Sequence, residues 1–245
     1  MGALRGAGAR PGGRRLTEPS VGRFSVDLRS GAPRELLVVP SVSSPTAFAC
    51  EPTSGALVLG STQDDSAIDR RRCAAAGLDV LRRRSGGAAV IVRPGAQVWI
   101  DVFVPRDDRR YDDDIQASFA FLGAAWRAAF AEVFPATPGR LEVHTGAVKR
   151  TSWSRVLCFA GLGAGEVTLQ GHKVVGISQR RDRSGAWFHS MAMLQFDPGE
   201  LPALLGLVGD ELDEATAVAA SRAVAVPGGP DAGSRLLAAV LDNLD

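Results

Sequence analysis

The chain has 245 residues, 45% of them hydrophobic and 22% charged, which supports a substantial core and excludes wholesale disorder. Lys and Arg number 28 against 27 Asp and Glu, a formal net charge of +1, so the basic surplus of a dedicated nucleic-acid binder is missing. Its largely apolar strands, such as Val98–Val104 with Asp101 within it, are far below a membrane span. Three cysteines without paired spacing, Cys50, Cys73 and Cys158, argue against a disulfide framework or a CxxC metal site and predict a reducing, cytoplasmic setting.

Residues 1–20 are rich in Gly, Arg and Pro and are expected to form a disordered tail, leaving 21–245 as a single domain with a helical C-terminal end. The tail has no apolar signal core, and its arginines read as a basic tail rather than a transit peptide. Leu36–Pro40 reads as a short strand, Ser41–Ser54 as a polar connection and Ala56–Leu59 as an apolar strand ending at Gly60. Asp64–Ala76 is predicted to be a helix, with acids in its first turn and Gly77 as its stop. Leu78–Arg83 precedes a Ser85-Gly86-Gly87 turn, a strand Ala88–Val92 and a Pro94-Gly95 turn. In Gln97–Val104, Val98, Ile100, Val102 and Val104 alternate with Trp99, Asp101 and Phe103, which predicts a strand with one buried face.

A helix is predicted over Asp112–Phe134, with Ile115, Phe119, Leu122, Trp126 and Phe130 as its apolar stripe. A glycine-punctuated, strand-rich stretch follows: Leu141–His144, Arg155–Phe159, Glu166–Leu169, Lys173–Gln179 and Trp187–Phe196. The C-terminal end reads as helices near Glu200–Leu207, Leu212–Arg222 and Ser234–Leu244. Strands in hairpin order, with helices inserted and then appended, predict an α+β domain rather than a doubly wound one.

Two segments carry chemistry. In Arg82-Arg83-Arg84-Ser85-Gly86-Gly87, paired glycines between strands let backbone approach a ligand, and guanidiniums suit a carboxylate or phosphate; an ordinary hairpin turn beside solvated arginines fits the same residues. In Gly171-His172-Lys173-Val174-Val175-Gly176-Ile177-Ser178-Gln179, a turn at Gln170-Gly171 would deliver Lys173 at a strand start, where its charge could meet a phosphate or a developing oxyanion while contributing little to packing. Only Lys149 and Lys173 among the 28 basic residues are lysine, a hint that a compact ammonium is wanted at each. Cys158 fits both a nucleophile and a buried apolar cysteine. The histidines at 144, 172 and 189 lack metal-ligand spacing and identifiable triad partners, and no metal site is expected.

The ordered set Leu-Gly-Ser-Thr-Gln (59–63), Arg-Arg-Arg-Ser-Gly-Gly (82–87) and Gly-His-Lys-Val-Val-Gly-Ile-Ser-Gln (171–179) resembles the catalytic domain of lipoate–protein ligases, octanoyltransferases and, more distantly, biotin protein ligases. The resemblance spans about residues 35–200 and implies a mixed, largely antiparallel β-sheet core with packed helices. It implies transfer of a lipoyl or octanoyl group to a lysine of a lipoyl-domain protein. Lys173 and Cys158 would be catalytic, and Arg83, Arg84, Ser85, Gly86, Gly87, Gly176 and Ser178 would bind substrate. Cys158 lies fifteen residues before Lys173, as in one branch of octanoyltransferases whose cysteine takes octanoate from acyl carrier protein as a thioester. The ligase route would instead use ATP, Mg and lipoate through lipoyl-AMP. Ligases continue the glycine turn with His-Asp and Gly-Asn, where this chain has Val92-Arg93 and Gly95-Ala96, and the Gly-Arg-Gly-Arg loop of biotin ligases is missing. Transfer is slightly favoured; a non-catalytic member that binds a lipoate-like ligand or an acylated carrier protein is the alternative. No nucleic-acid or membrane partner is expected.

Overall fold

The computed structural model describes residues 23–66, 68–135 and 140–245, so the expected tail over residues 1–20 lies outside the described residues. Its main sheet has seven strands in the order β1-β2-β6-β10-β9-β8-β7. These are β1 (Ser25–Gly31), β2 (Thr46–Pro52), β6 (Gln97–Pro105), β10 (Gly185–Met193), β9 (His172–Arg181), β8 (Val167–Leu169) and β7 (Leu141–Val143). β1 and β2 run parallel and every other neighbouring pair antiparallel. A smaller sheet sets β3 (Gly55–Leu59) between β4 (Leu78–Arg82), parallel to it, and β5 (Val90–Val92), antiparallel.

β6 shows how the layers are held together. All nine of its residues are buried, where alternation predicted one buried face. Val98, Ile100, Val102 and Val104 pack with Leu122, Trp126 and Phe130 of α3 (Ala120–Val133) and with Leu236 and Val240 of α6 (Gly229–Asp242). Trp99 and Phe103 turn the other way, against Phe48, Trp187, Val58 and Val92, and so bury the small sheet on the main one. The intervening Asp101 is the one charged member of the strand, and a partner within this layer makes its burial tolerable.

Several local expectations are corrected. Leu36–Pro40 is not a strand: Pro33 starts the short helix α1 (Pro33–Leu36), and the Arg29 guanidinium donates to the carbonyls of Glu35, Leu36 and Val38 just where pairing would have begun. The supposed polar connection contains β2, whose Ala47–Cys50 core fits between β1 and β6. The first helix shortens to α2 (Arg70–Ala75), capped by Asp69, whose carboxylate accepts from the amides of Arg71 and Arg72 at 3.0 Å each. Gly77, at φ +68°, ends it as expected. Asp112 and Asp114 accept local amide bonds ahead of a 3₁₀ turn at Ala117–Phe119, so α3 starts later than predicted and Ile115 stays 59% exposed.

Arg155–Phe159 is likewise not a strand. The amides of Val156 and Leu157 donate to Trp153 O and that of Ala160 to Leu157 O, which closes turns and ends in a 3₁₀ turn, Cys158–Ala160. β9 and β10 start and end close to prediction, and α4 (Glu200–Leu204) and α5 (Gly209–Arg222) follow them. Ala215 and Ala219 of α5 pack on Leu157 and Ala160, so the C-terminal helix layer supports the Cys158 turn. No described helix is long and apolar enough to cross a membrane.

Candidate active site

The glycine turn is built around Arg83. Its side chain is buried, with Nε and Nη2 donating to Gly86 O at 3.2 and 2.8 Å, Nη2 to Ala88 O at 2.9 Å and Nη1 to Val58 O at 3.4 Å. No carboxylate reaches it among the described residues, and burial pulls its pKa below the ordinary arginine value. The guanidinium thus folds its own loop. Gly87, at φ +96°, follows because a Cβ there would stand 2.7 Å from Arg83 Nη2. The Ser85 hydroxyl is buried and lies 2.9 Å from that of Ser178 on β9, which ties the turn to the main sheet. Arg84 is exposed, and Gly86 has open space where a side chain would be.

Lys173 enters β9 directly after the turn at Gln170 and Gly171, both in the left-handed region with φ +54° and +82°, as the sequence predicted. Its side chain is nevertheless part of the packing, at 3% exposure. Nζ donates to Cys158 O at 3.0 Å and Gly161 O at 3.2 Å, and pairs with Glu166 Oε1 at 2.7 Å. Glu166, missed by sequence reasoning, is itself fully engaged: Ile177 N donates to Oε1 and Gly163 N to Oε2. A lone acid in a glycine-rich apolar stretch, seven residues before the lysine, was its signal. Gly176 lies beside this lysine, where a Cβ would stand 3.4 Å from Lys173 Cε and 3.5 Å from the Phe159 ring.

Cys158 is half-buried, with its amide on Ala89 O at 3.0 Å and its carbonyl under Lys173. It lines a narrow apolar cavity of about 50 Å³ together with Arg83, Gly176, Ser178 and His189. His189 is the second group sequence reasoning missed. Its Nδ1 is 2.8 Å from Asp101 Oδ1, and Trp99 Nε1 donates to the same oxygen at 2.6 Å. Asp101 and His189 are cross-strand partners 88 residues apart, so no local pattern could join them. A carboxylate that binds one ring nitrogen fixes the imidazole's orientation and leaves the other nitrogen for exchange of a proton. One cavity therefore gathers a thiol, a carboxylate-oriented imidazole and a buried cation.

A wider cavity of about 280 Å³ adjoins it, with Val90 and Phe159 in the walls of both. Its other walls include Ile91, Ala96, Met193 and Leu201. Arg93 and Glu200 close one side through two contacts of 2.9 and 2.5 Å. The sequence therefore predicted three neighbourhoods that the fold does assemble: Arg83 to Gly87, Cys158, and Lys173 with Gly176 and Ser178. Arg84 stands apart, exposed.

Residues 37–225 match the lipoyl protein ligase A/B catalytic domain. The chain belongs to this family. Among solved structures it is similar in fold to an archaeal bipartite lipoate protein ligase from Thermoplasma acidophilum, described with its E2 lipoyl domain, at 16% identity over 91% of this chain and 84% of that one, with a TM-score of 0.65. A T. acidophilum protein with bound lipoic acid aligns at 16% identity over 90% and 95% of the two chains, TM-score 0.56. Lipoate-protein ligase A bound with ATP aligns at 15% over 90% and 94%, TM-score 0.53. No curated protein matches the chain by sequence. At these identities the likeness shows the shared catalytic-domain fold.

Proposed function

We propose that this chain acylates a lysine of a lipoyl-domain protein, passing an octanoyl or lipoyl group through a thioester on Cys158. The observation that carries the reading is the Cys158 turn: its carbonyl bonds the Lys173 ammonium at 3.0 Å while Cys158 itself lines the narrow apolar cavity with Gly176, Ser178 and Arg83. In the first step the Cys158 sulfur attacks the thioester carbonyl of a donor such as acyl carrier protein. The new S–C bond replaces the donor's, and the donor thiol departs with a proton. In the second step the acceptor amine attacks the Cys158 thioester, the amide forms, and the proton returns the cysteine to its thiol. Lys173, through its bond to Cys158 O, holds the turn that carries the nucleophile, and its ammonium lies against the backbone carbonyl of the reacting residue. Arg83, Gly86 and Gly87 shape the cavity wall, Arg84 contributes from the surface, and the Ser85–Ser178 pair joins that wall to β9.

A second reading keeps the ATP-dependent route, because a solved relative carries ATP. The wide cavity would then take the nucleotide of an acyl-adenylate, and Lys173 its phosphate. Two features of this chain weigh against it: Ala96 stands where ligases place an Asn, and the Arg93 guanidinium is committed to Glu200. No three His, Cys, Asp or Glu side chains gather for a metal among the described residues, so a magnesium ion would have to arrive on the nucleotide. The chain is incubated with apo lipoyl domain and either octanoyl-acyl carrier protein or ATP plus lipoate, and intact mass is read. Thioester transfer predicts, without acceptor, a hydroxylamine-labile adduct that maps to Cys158, and nearly complete loss of transfer in Cys158→Ser. Unchanged attachment in that variant, with ATP required, would replace this route by the adenylate one.

A further inference from the structure

A third cavity, of about 230 Å³, adjoins the Cys158 turn from the side of Gly161 and shares Ala160 with the wide one. Unlike the other two it is basic: Lys149, Arg150, Lys173 and Arg222 line it, and no carboxylate does. Both lysines of the chain are therefore on one cavity. The charge of Lys173 is balanced by Glu166, whereas Lys149, Arg150 and Arg222 are exposed and have no ion-pair partner among the described residues. Backbone bonds hold the three around the lysine. Lys149 and Leu162 exchange amide bonds of 2.8 and 3.0 Å, and Val224 N, just beyond the last turn of α5 that carries Arg222, donates to Lys173 O at 3.1 Å.

Such a cavity suits an anionic visitor that approaches from solvent. Three unbalanced, exposed cations around a mouth steer a negatively charged macromolecule more than they bind a small anion tightly. The volume is too small for a folded domain and adequate for one side chain. An extended lysine arm spans roughly 6 Å over its carbon–carbon and carbon–nitrogen bonds. We infer that this cavity is the entry port for the acceptor: a protein loop whose target lysine is flanked by carboxylates. The flanking acids would meet Lys149, Arg150 and Arg222 at the rim while the lysine passes inward toward Lys173 and the Cys158 turn. Positive walls disfavour the ammonium form of the entering lysine and so favour the free amine, the form that attacks an acyl carbonyl. The apolar cavities are thereby left to the acyl donor. The inference rests on the acylation reading above.

Direct binding tests the port independently of turnover. Affinity of the full chain for an apo E2 lipoyl domain is measured at rising salt for the native protein, for the double variant Lys149→Glu/Arg150→Glu, and for Arg183→Glu, an exposed charge outside the cavity. The double variant should bind about tenfold or more weakly and lose most of its salt dependence, and Arg183→Glu should bind as the native chain does. A lipoyl domain whose flanking carboxylates are replaced by lysines should regain affinity for the double variant. Thermal melting confirms that each variant is folded. No binding by the native chain, or equal affinity and salt slope in the double variant, would each overturn the port. Charge-dependent binding without any acylation would defeat the enzymatic reading and leave the port standing.

Discussion

Arg83 and Lys173 are both buried cations, 7% and 3% exposed, and the fold satisfies them by opposite means. Arg83 has only backbone carbonyls around it, four hydrogen bonds to Gly86, Ala88 and Val58 and no counter-charge among the described residues. Lys173 has two carbonyls and a carboxylate, and that carboxylate is held by two further amides. A guanidinium keeps its proton at any physiological pH and spreads its charge over a planar fork, so carbonyl dipoles are enough. An ammonium concentrates its charge on one nitrogen with three donors, and the Glu166 carboxylate supplies the counter-charge that burial of such a point charge calls for. The two sites therefore respond differently to the loss of one partner.

The largest effect is expected at the ion pair. Glu166→Leu leaves an ammonium buried without its counter-charge and frees the amides of Ile177 and Gly163, a loss of about 3–5 kcal/mol. Adding Lys173→Met to it should restore a good part of that loss, because the paired charges are then removed together. Urea unfolding of the two variants measures the difference, and equal stabilities would show that the pair is not coupled. Lys173→Ala, expected from sequence to leave the fold untouched, should for the same reason destabilise it.

A smaller effect is expected at Arg83. Arg83→Met loses charged hydrogen bonds to three carbonyls but recovers the guanidinium's desolvation, for a net loss of about 1–3 kcal/mol. Arg84→Ala, one residue on and exposed, should change stability by less than about 0.5 kcal/mol. Urea midpoints that coincide for these two variants would mean that the loop does not depend on Arg83.

The least disruptive test uses the cysteines. Burial first, then Asp101, raises the Cys50 thiol well above its usual range, and burial first, then Asp69, raises Cys73. Both thiols are also enclosed, so iodoacetamide should label half-buried Cys158 well before either. Peptide mapping after a timed quench reads the order. Early labelling of Cys50 would place the accessible thiol on β2 instead.

Much of this was legible along the chain. Lys173 at the start of a strand after a two-residue turn, the Ser85-Gly86-Gly87 turn between strands, and the order of the motifs all follow from local chemistry: glycine where φ is positive, alternation where a sheet is half-buried, a fixed motif sequence. Those signals extend over a few residues, and so do the forces that cause them. The tertiary structure decided everything that depends on distant partners. It turned Arg155–Phe159 from a strand into turns under α5, because α5 and β5 cover that segment. It buried both faces of β6 by laying a second sheet on it. It directed Arg83 inward onto its own loop, paired Lys173 with Glu166, and brought Asp101 to His189 across 88 residues. Burial makes an unpaired charge costly, and which groups become buried together is set by how layers stack, a property no short stretch of sequence contains.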